Sequence, residues 1–118
     1  MNEYKFEFKN GQEKYWIKIK NYISKYIEDI DDTDDTVNSI IDVRWRLLHR
    51  GIFIHGEEIS KSKDGKIVNY MEKILLSEDN RLSKANIQIE PIILYYTVDV
   101  ENKIITFTDI KPKDILDL

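Results

Sequence analysis

The sequence predicts a single-domain α+β fold with an N-terminal strand, an antiparallel helical hairpin and then a small antiparallel sheet. Three observations carry this. Residues 3–8 alternate apolar and charged side chains, residues 12–30 carry an apolar stripe at helical spacing, and residues 92–110 form two apolar runs around a short polar turn. A chain of 118 residues suits one core.

In "EYKFEF", Tyr4, Phe6 and Phe8 share one face and Glu3, Lys5 and Glu7 the other, the pattern of a half-buried strand. Asn10-Gly11 ends it. From Gln12 to Ile30 the period changes. Tyr15, Trp16, Ile19, Tyr22, Ile23, Tyr26, Ile27 and Ile30 make one continuous stripe along a helix, with lysines mostly off it. "DIDDTDD" at 29–35 then supplies caps: Asp34, Asp35 or Thr36 is expected to start a second helix over 36–50. Val37, Ile40, Ile41, Leu47 and Leu48 form its stripe, which Arg44 interrupts and Val43 and Trp45 widen. Arg46, His49 and Arg50 occupy the last turn, where cations suit the dipole, and Gly51 is the expected residue just past the end.

Beyond it, "IFIHG" reads as a short strand and "EEISKSKDGK" as loop, with a turn at Asp64-Gly65. "KIVNYMEKILL" at 66–76 fits a helical stripe (Ile67, Met71, Ile74, Leu75) or a strand. The preceding turn and the branched residues lean to strand. Residues 77–86 read as a polar loop. Ile92–Val100 is almost continuously apolar, as in a central strand buried on both faces, with Pro91 at its start. One ring of Tyr95-Tyr96 is therefore core. "ENK" at 101–103 turns the chain, Asn102 being the residue suited to positive φ, and Ile104–Ile110 returns. The tail docks by Ile115 and Leu118 or frays.

The composition, 42% hydrophobic and 34% charged, is that of a globular domain. Absence of cysteine removes disulfides, thiolate metal sites and cysteine nucleophiles. No signal-type apolar region opens the chain and no run is long enough for a membrane helix, so a cytoplasmic protein is expected. The net charge of −4 argues against a polyanionic partner such as RNA. Charge is segregated. Residues 28–42 carry seven acids and no base, and residues 43–50 carry three arginines and no acid.

Chemistry is sparse. His49 and His55 are six apart, which is no helical ligand pair. A calcium loop starting at Asp31 would need Gly and Glu where Thr36 and Asp42 stand. Gly11, Gly51, Gly56 and Gly65 are scattered, so no phosphate-cradling loop forms. No metal or cofactor is expected. "RWRLLHR" at 44–50 can hold phosphates or a partner, although its last turn is also a dipole-matched helix end. A protein partner is the main expectation, with Asp31, Asp32, Asp34, Asp35, Arg46 and Arg50 as its binding residues.

The stretch "ILYYTVDVENKIITFTDI", together with "KSKDGKIVNYMEKILL" and the order of elements, resembles the RelE/ParE superfamily of toxins, including its HigB-like branch. The resemblance implies a strand at 66–76. It also implies cleavage of ribosome-bound messenger RNA or inhibition of DNA gyrase, with an antitoxin as partner. Cleaving members place basic side chains, and often a tyrosine or histidine, on the sheet and at the C-terminus. An arginine commonly begins their penultimate strand, and here Ile92 and Ile93 stand there. The cations that remain as catalytic candidates are Arg81, Lys84, Lys111 and Lys113. Two readings follow. The first is a non-catalytic protein that inhibits or masks a macromolecular partner, as phage inhibitors and immunity proteins do. The second is a toxin of that superfamily.

Overall fold

A computed structural model describes residues 3–9, 14–27, 33–75 and 90–117, with the side chains of residues 26, 27, 33, 34, 36 and 117 outside the description. Its elements run β1 (Lys5–Phe8), α1 (Tyr15–Ile27), α2 (Thr33–His49), β2 (Gly56–Lys61), β3 (Ile67–Ile74), β4 (Ile92–Asp99), β5 (Ile104–Lys111) and a 3₁₀ turn, Lys113–Asp117. The fold is α+β, as expected. The sheet order is β1-β5-β4-β3-β2. The β2–β5 pairs are antiparallel, but β1 joins parallel to β5, so the whole sheet is mixed. Tyr4 N–H donates to the His49 carbonyl and Lys5 N–H to that of Lys103, which clamps the start of β1 between the end of α2 and the hairpin.

The helices are antiparallel. Trp16 near the start of α1 and Trp45 near the end of α2 both lie 6.1 Å from Phe6 between ring centroids. One turn further into each helix, Lys20 pairs with Asp42 at 3.0 Å. Tyr15, Ile19, Tyr22 and Ile23 of α1 are buried with Val37, Ile40, Ile41 and Leu48 of α2, against Ile92, Leu94, Tyr96 and Val98 of β4. The apolar stripes thus face one side of the sheet, where burial of each large aliphatic side chain contributes about 1.5–3 kcal/mol.

Several expectations are corrected. α2 begins at Thr33, so Asp34, Asp35 and Thr36 lie inside its first turn rather than ahead of it; helix 12–30 is described only over Tyr15–Ile27. "IFIHG" is not a strand before Gly56. The strand is the polar "GEEISK". An edge strand exposed on both faces carries no apolar alternation to read, and a bulge at Ile59 breaks its register. β4 is central but not buried on both faces: Ile92, Leu94, Tyr96 and Val98 are buried, while Ile93, Tyr95, Thr97 and Asp99 are half-exposed. Among the described residues the helices cover one face only. The left-handed residue of the hairpin is Lys103 (φ 55°), not Asn102. Asn102 is instead held through its N–H and its amide by the Asp99 carboxylate. In β5 the extra residue Thr108 lets Phe107 and Ile110 both reach the core.

Other expectations hold. Residues 67–74 are a strand. Asp64 accepts from Ser62 Oγ and Lys66 N–H, and Gly65 takes φ +72°. Ile115 is fully buried, and Leu118 lies outside the described residues. Gly51 N–H donates to the Leu48 carbonyl and Ile52 N–H to that of Leu47, with Gly51 at φ +72°. This is the Schellman closure its position predicts. Among the described residues no helix is long and apolar enough to cross a membrane.

Candidate functional site

Among the described residues, the C-terminal half of α2 gathers the most chemistry on one surface. Helical spacing puts Trp45 and His49 on the side facing α1 and β1, with Arg46 and Arg50 one turn apart on the rim. A cleft of about 460 Å³ between the helices is lined by Trp16, Lys20, Ile41, Asp42, Trp45 and Arg46. A second, of about 200 Å³, is lined by Glu3, Trp45, Arg46, His49 and Arg50. The two share Trp45 and Arg46.

An aromatic stack sets this surface. His49 stacks on Phe6 at 4.1 Å and meets Trp45 edge-on at 4.4 Å. Its Nδ1 lies 2.7 Å from the Tyr4 carbonyl oxygen. A carbonyl only accepts, so Nδ1 carries the proton and the other ring nitrogen, Nε2, makes no use of this bond. Arg46 donates through Nε to the Asp42 carbonyl at 3.3 Å. Trp45 remains 40% exposed, high for a tryptophan.

A second surface lies on the sheet face opposite the helices. Lys73 and Lys111 both stand opposite Ile93, on β3 and β5, so the three side chains share that face. Lys111 Nζ sits 5.6 Å from the centre of the Tyr95 ring. A cleft of about 450 Å³ lined by Glu90, Pro91, Ile93, Lys111, Pro112 and Lys113 adjoins it.

The expected site residues that are described are therefore separated. Arg46 and Arg50 come together. Asp35 lies eleven residues earlier on α2, about 16 Å away at 1.5 Å per residue. Asp34 is in the first turn, and Asp31 and Asp32 fall outside the described residues; of the four aspartates, Asp35, whose side chain is described, forms no common patch with the arginine pair. Lys111 and Lys113 line one cleft. Arg81 and Lys84 lie outside the described residues. Sequence reasoning missed Trp16, Lys20 and Glu3 beside the arginines, and Lys73 beside Lys111. Cross-strand register and helix pairing, which no local pattern shows, bring them in.

It also missed the buried ionic group. Glu72 of β3 is 2% exposed, with Oε2 3.7 Å from Arg44 Nε and Oε1 3.4 Å from the Tyr96 hydroxyl. Arg44 donates from Nη1 to the Ile40 carbonyl. Burial pushes the Glu72 carboxyl above the usual carboxylate range, and Arg44 and the Tyr96 hydrogen bond only partly offset it. Burial, reinforced by Glu72, also raises the Tyr96 phenol. Perturbed groups of this kind often mark active sites. Here the carboxylate is enclosed between α2 and the sheet, out of reach of a substrate, so its role is structural. The signal was present: Arg44 breaks the α2 stripe, and Glu72 breaks the Val68–Ile74 face.

No three His, Cys, Asp or Glu side chains converge as metal ligands among the described residues. No family model matches the chain, and no curated protein or solved structure matches it significantly.

Proposed function

We propose that this chain is a small cytosolic binding protein that engages a protein partner and masks or inhibits it, using the tryptophan–arginine face of α2. The observation that carries the reading is Trp45, 40% exposed between two clefts and flanked by Arg46. Tryptophan and arginine dominate the energetics of protein interfaces because they combine large apolar area with directed hydrogen bonding. The arginines form a local cationic patch on an acidic chain, which steers an acidic partner surface toward it. A photo-crosslinking residue at position 45 should trap one partner that the same residue at position 59 does not. With that partner purified, Trp45→Ala and Arg46→Ala should each weaken binding about tenfold or more, equivalent to ~1.4 kcal/mol. Unchanged affinity in both variants would remove this face from the reading.

A second reading, a RelE/ParE-superfamily toxin paired with an antitoxin, is favoured by one observation: Lys111 over the Tyr95 ring, with Lys73 aligned across Ile93. The element order supports it as well. Such a site would neutralise phosphate charge and stack a base. Induced expression should then arrest growth, and the double change Lys111→Ala, Lys113→Ala should relieve the arrest at equal protein level. Harmless expression of the unaltered chain in several hosts would sink this reading.

A further inference from the structure

We propose that the two joined clefts at the C-terminal end of α2 bind a nucleoside monophosphate, its phosphate on Arg46, Arg50 and His49 and its base against Trp45. This goes beyond the partner reading and does not depend on it.

The smaller cleft supplies the anion site. Its volume of about 200 Å³ is below the usual range for a whole drug-sized ligand, roughly 300–1,000 Å³, and suits a phosphate head. Arg46 and Arg50 stand one helical turn apart on its rim, and the Arg46 contact with the Asp42 carbonyl involves Nε alone. The terminal guanidinium nitrogens, with their planar fork, match a phosphate face. His49 is fixed in its tautomer by the Tyr4 carbonyl and in its plane by Phe6 and Trp45. With Nδ1 the donor in that bond, Nε2 is an acceptor, and it takes a hydrogen bond from the hydroxyl of a monoprotonated phosphate.

The larger cleft supplies room for a flat ring. Trp16 and Trp45 flank it and Ile41 contributes apolar surface. Lys20 and Asp42, paired at 3.0 Å, add an ammonium donor and a carboxylate acceptor for polar atoms on a base edge or a ribose. Because Trp45 and Arg46 line both clefts, one ligand with a charged head and a planar body can span them. A long single strand is a poorer fit, because each further phosphate would meet a chain of net charge −4. Glu3 also lines the small cleft and opposes a phosphate there.

Calorimetric titrations at low salt with the four ribonucleoside 5′-monophosphates, adenosine, inorganic phosphate and a single-stranded oligoribonucleotide test the site. At least one monophosphate should bind about tenfold or more tighter than either fragment, since stacking and charge act together. Arg46→Ala, Arg50→Ala and Trp45→Ala should each weaken it about fivefold or more, and Trp45→Phe should retain most of the affinity. Glu3→Gln should tighten it about two- to fivefold by removing a like charge. Circular dichroism of each variant separates lost folding from lost binding. The proposal fails if no monophosphate gives a saturable signal at millimolar concentration. It fails equally if inorganic phosphate binds as tightly, if Arg46→Ala and Trp45→Ala leave affinity unchanged in folded protein, or if only a single-stranded oligonucleotide binds. Since the partner experiment reads crosslinking and partner affinity without nucleotide, either result can fail without the other.

Discussion

Replacing Arg44 with methionine lowers the unfolding free energy at pH 7 by about 3 kcal/mol, because it leaves the Glu72 carboxylate buried without its cation. Glu72 is 2% exposed and accepts from the Tyr96 hydroxyl at 3.4 Å, a weak contact. The pH dependence distinguishes this cause from simple loss of packing. The folded-state pKa of Glu72 is raised, through burial, above its unfolded value. At pH below the unfolded value the group is protonated in both states and costs nothing. As pH rises through the interval between the two values, the unfolded chain gives up its proton first, so stability falls, and it levels off above the folded value. Arg44 lowers the folded value, so Arg44→Met widens that interval and deepens the loss. Urea denaturation from pH 4 to 8, with each variant also made in a Glu72→Gln background to cancel the other carboxylates, should show the penalty of Arg44→Met growing with pH. The double change Arg44→Met, Glu72→Leu should recover most of the loss, since apolar replacements of buried ion pairs are often neutral or stabilising by about 1–4 kcal/mol. A penalty that is flat with pH, or below about 1 kcal/mol, would show that the pair is not electrostatically buried.

Gly51→Ala costs about 2–3 kcal/mol, from two sources. The residue sits at φ +72°, where a side chain is strained, and a Cβ built there falls 2.5 Å from Cε1 of Tyr4. That ring is not free to swing, since it packs edge-on against Phe53 at 5.6 Å. Gly65 supplies the matched control. It has the same φ of +72°, but the nearest atom to its added Cβ is Lys61 Cδ at 3.9 Å. Gly65→Ala should therefore cost only the conformational strain, about 1 kcal/mol. Equal losses in the two variants by urea denaturation would show that Tyr4 yields without cost. The closure matters for the candidate site as well, because the same chain reversal sets His49 against the Tyr4 carbonyl.

Much of this architecture was legible locally. The α1 stripe, the α2 stripe with Gly51 after it, the turn at Asp64-Gly65 and the hairpin from Ile92 to Ile110 each follow from spacing and turn chemistry. β2 was not, because a charged edge strand paired on one side leaves no period in its residues. The site was half legible. "RWRLLHR" marked Arg46 and Arg50, but the spacing put the neighbouring Trp45 only at the edge of the apolar stripe of α2. Only the docking of α1 and β1 beside α2 makes Trp45 a wall shared with Arg46.

The sequence by itself determined the two helices, the β1 strand and the C-terminal hairpin, which faces of α1 and α2 are apolar, and how α2 ends, because hydrophobic period and capping chemistry act within a few residues. Tertiary structure alone decided that β1 pairs parallel with β5, that Arg44 meets Glu72, and that Lys73 and Lys111 flank Ile93. Those contacts join residues far apart in the chain, and burying the two apolar stripes and the sheet face in one core selects them.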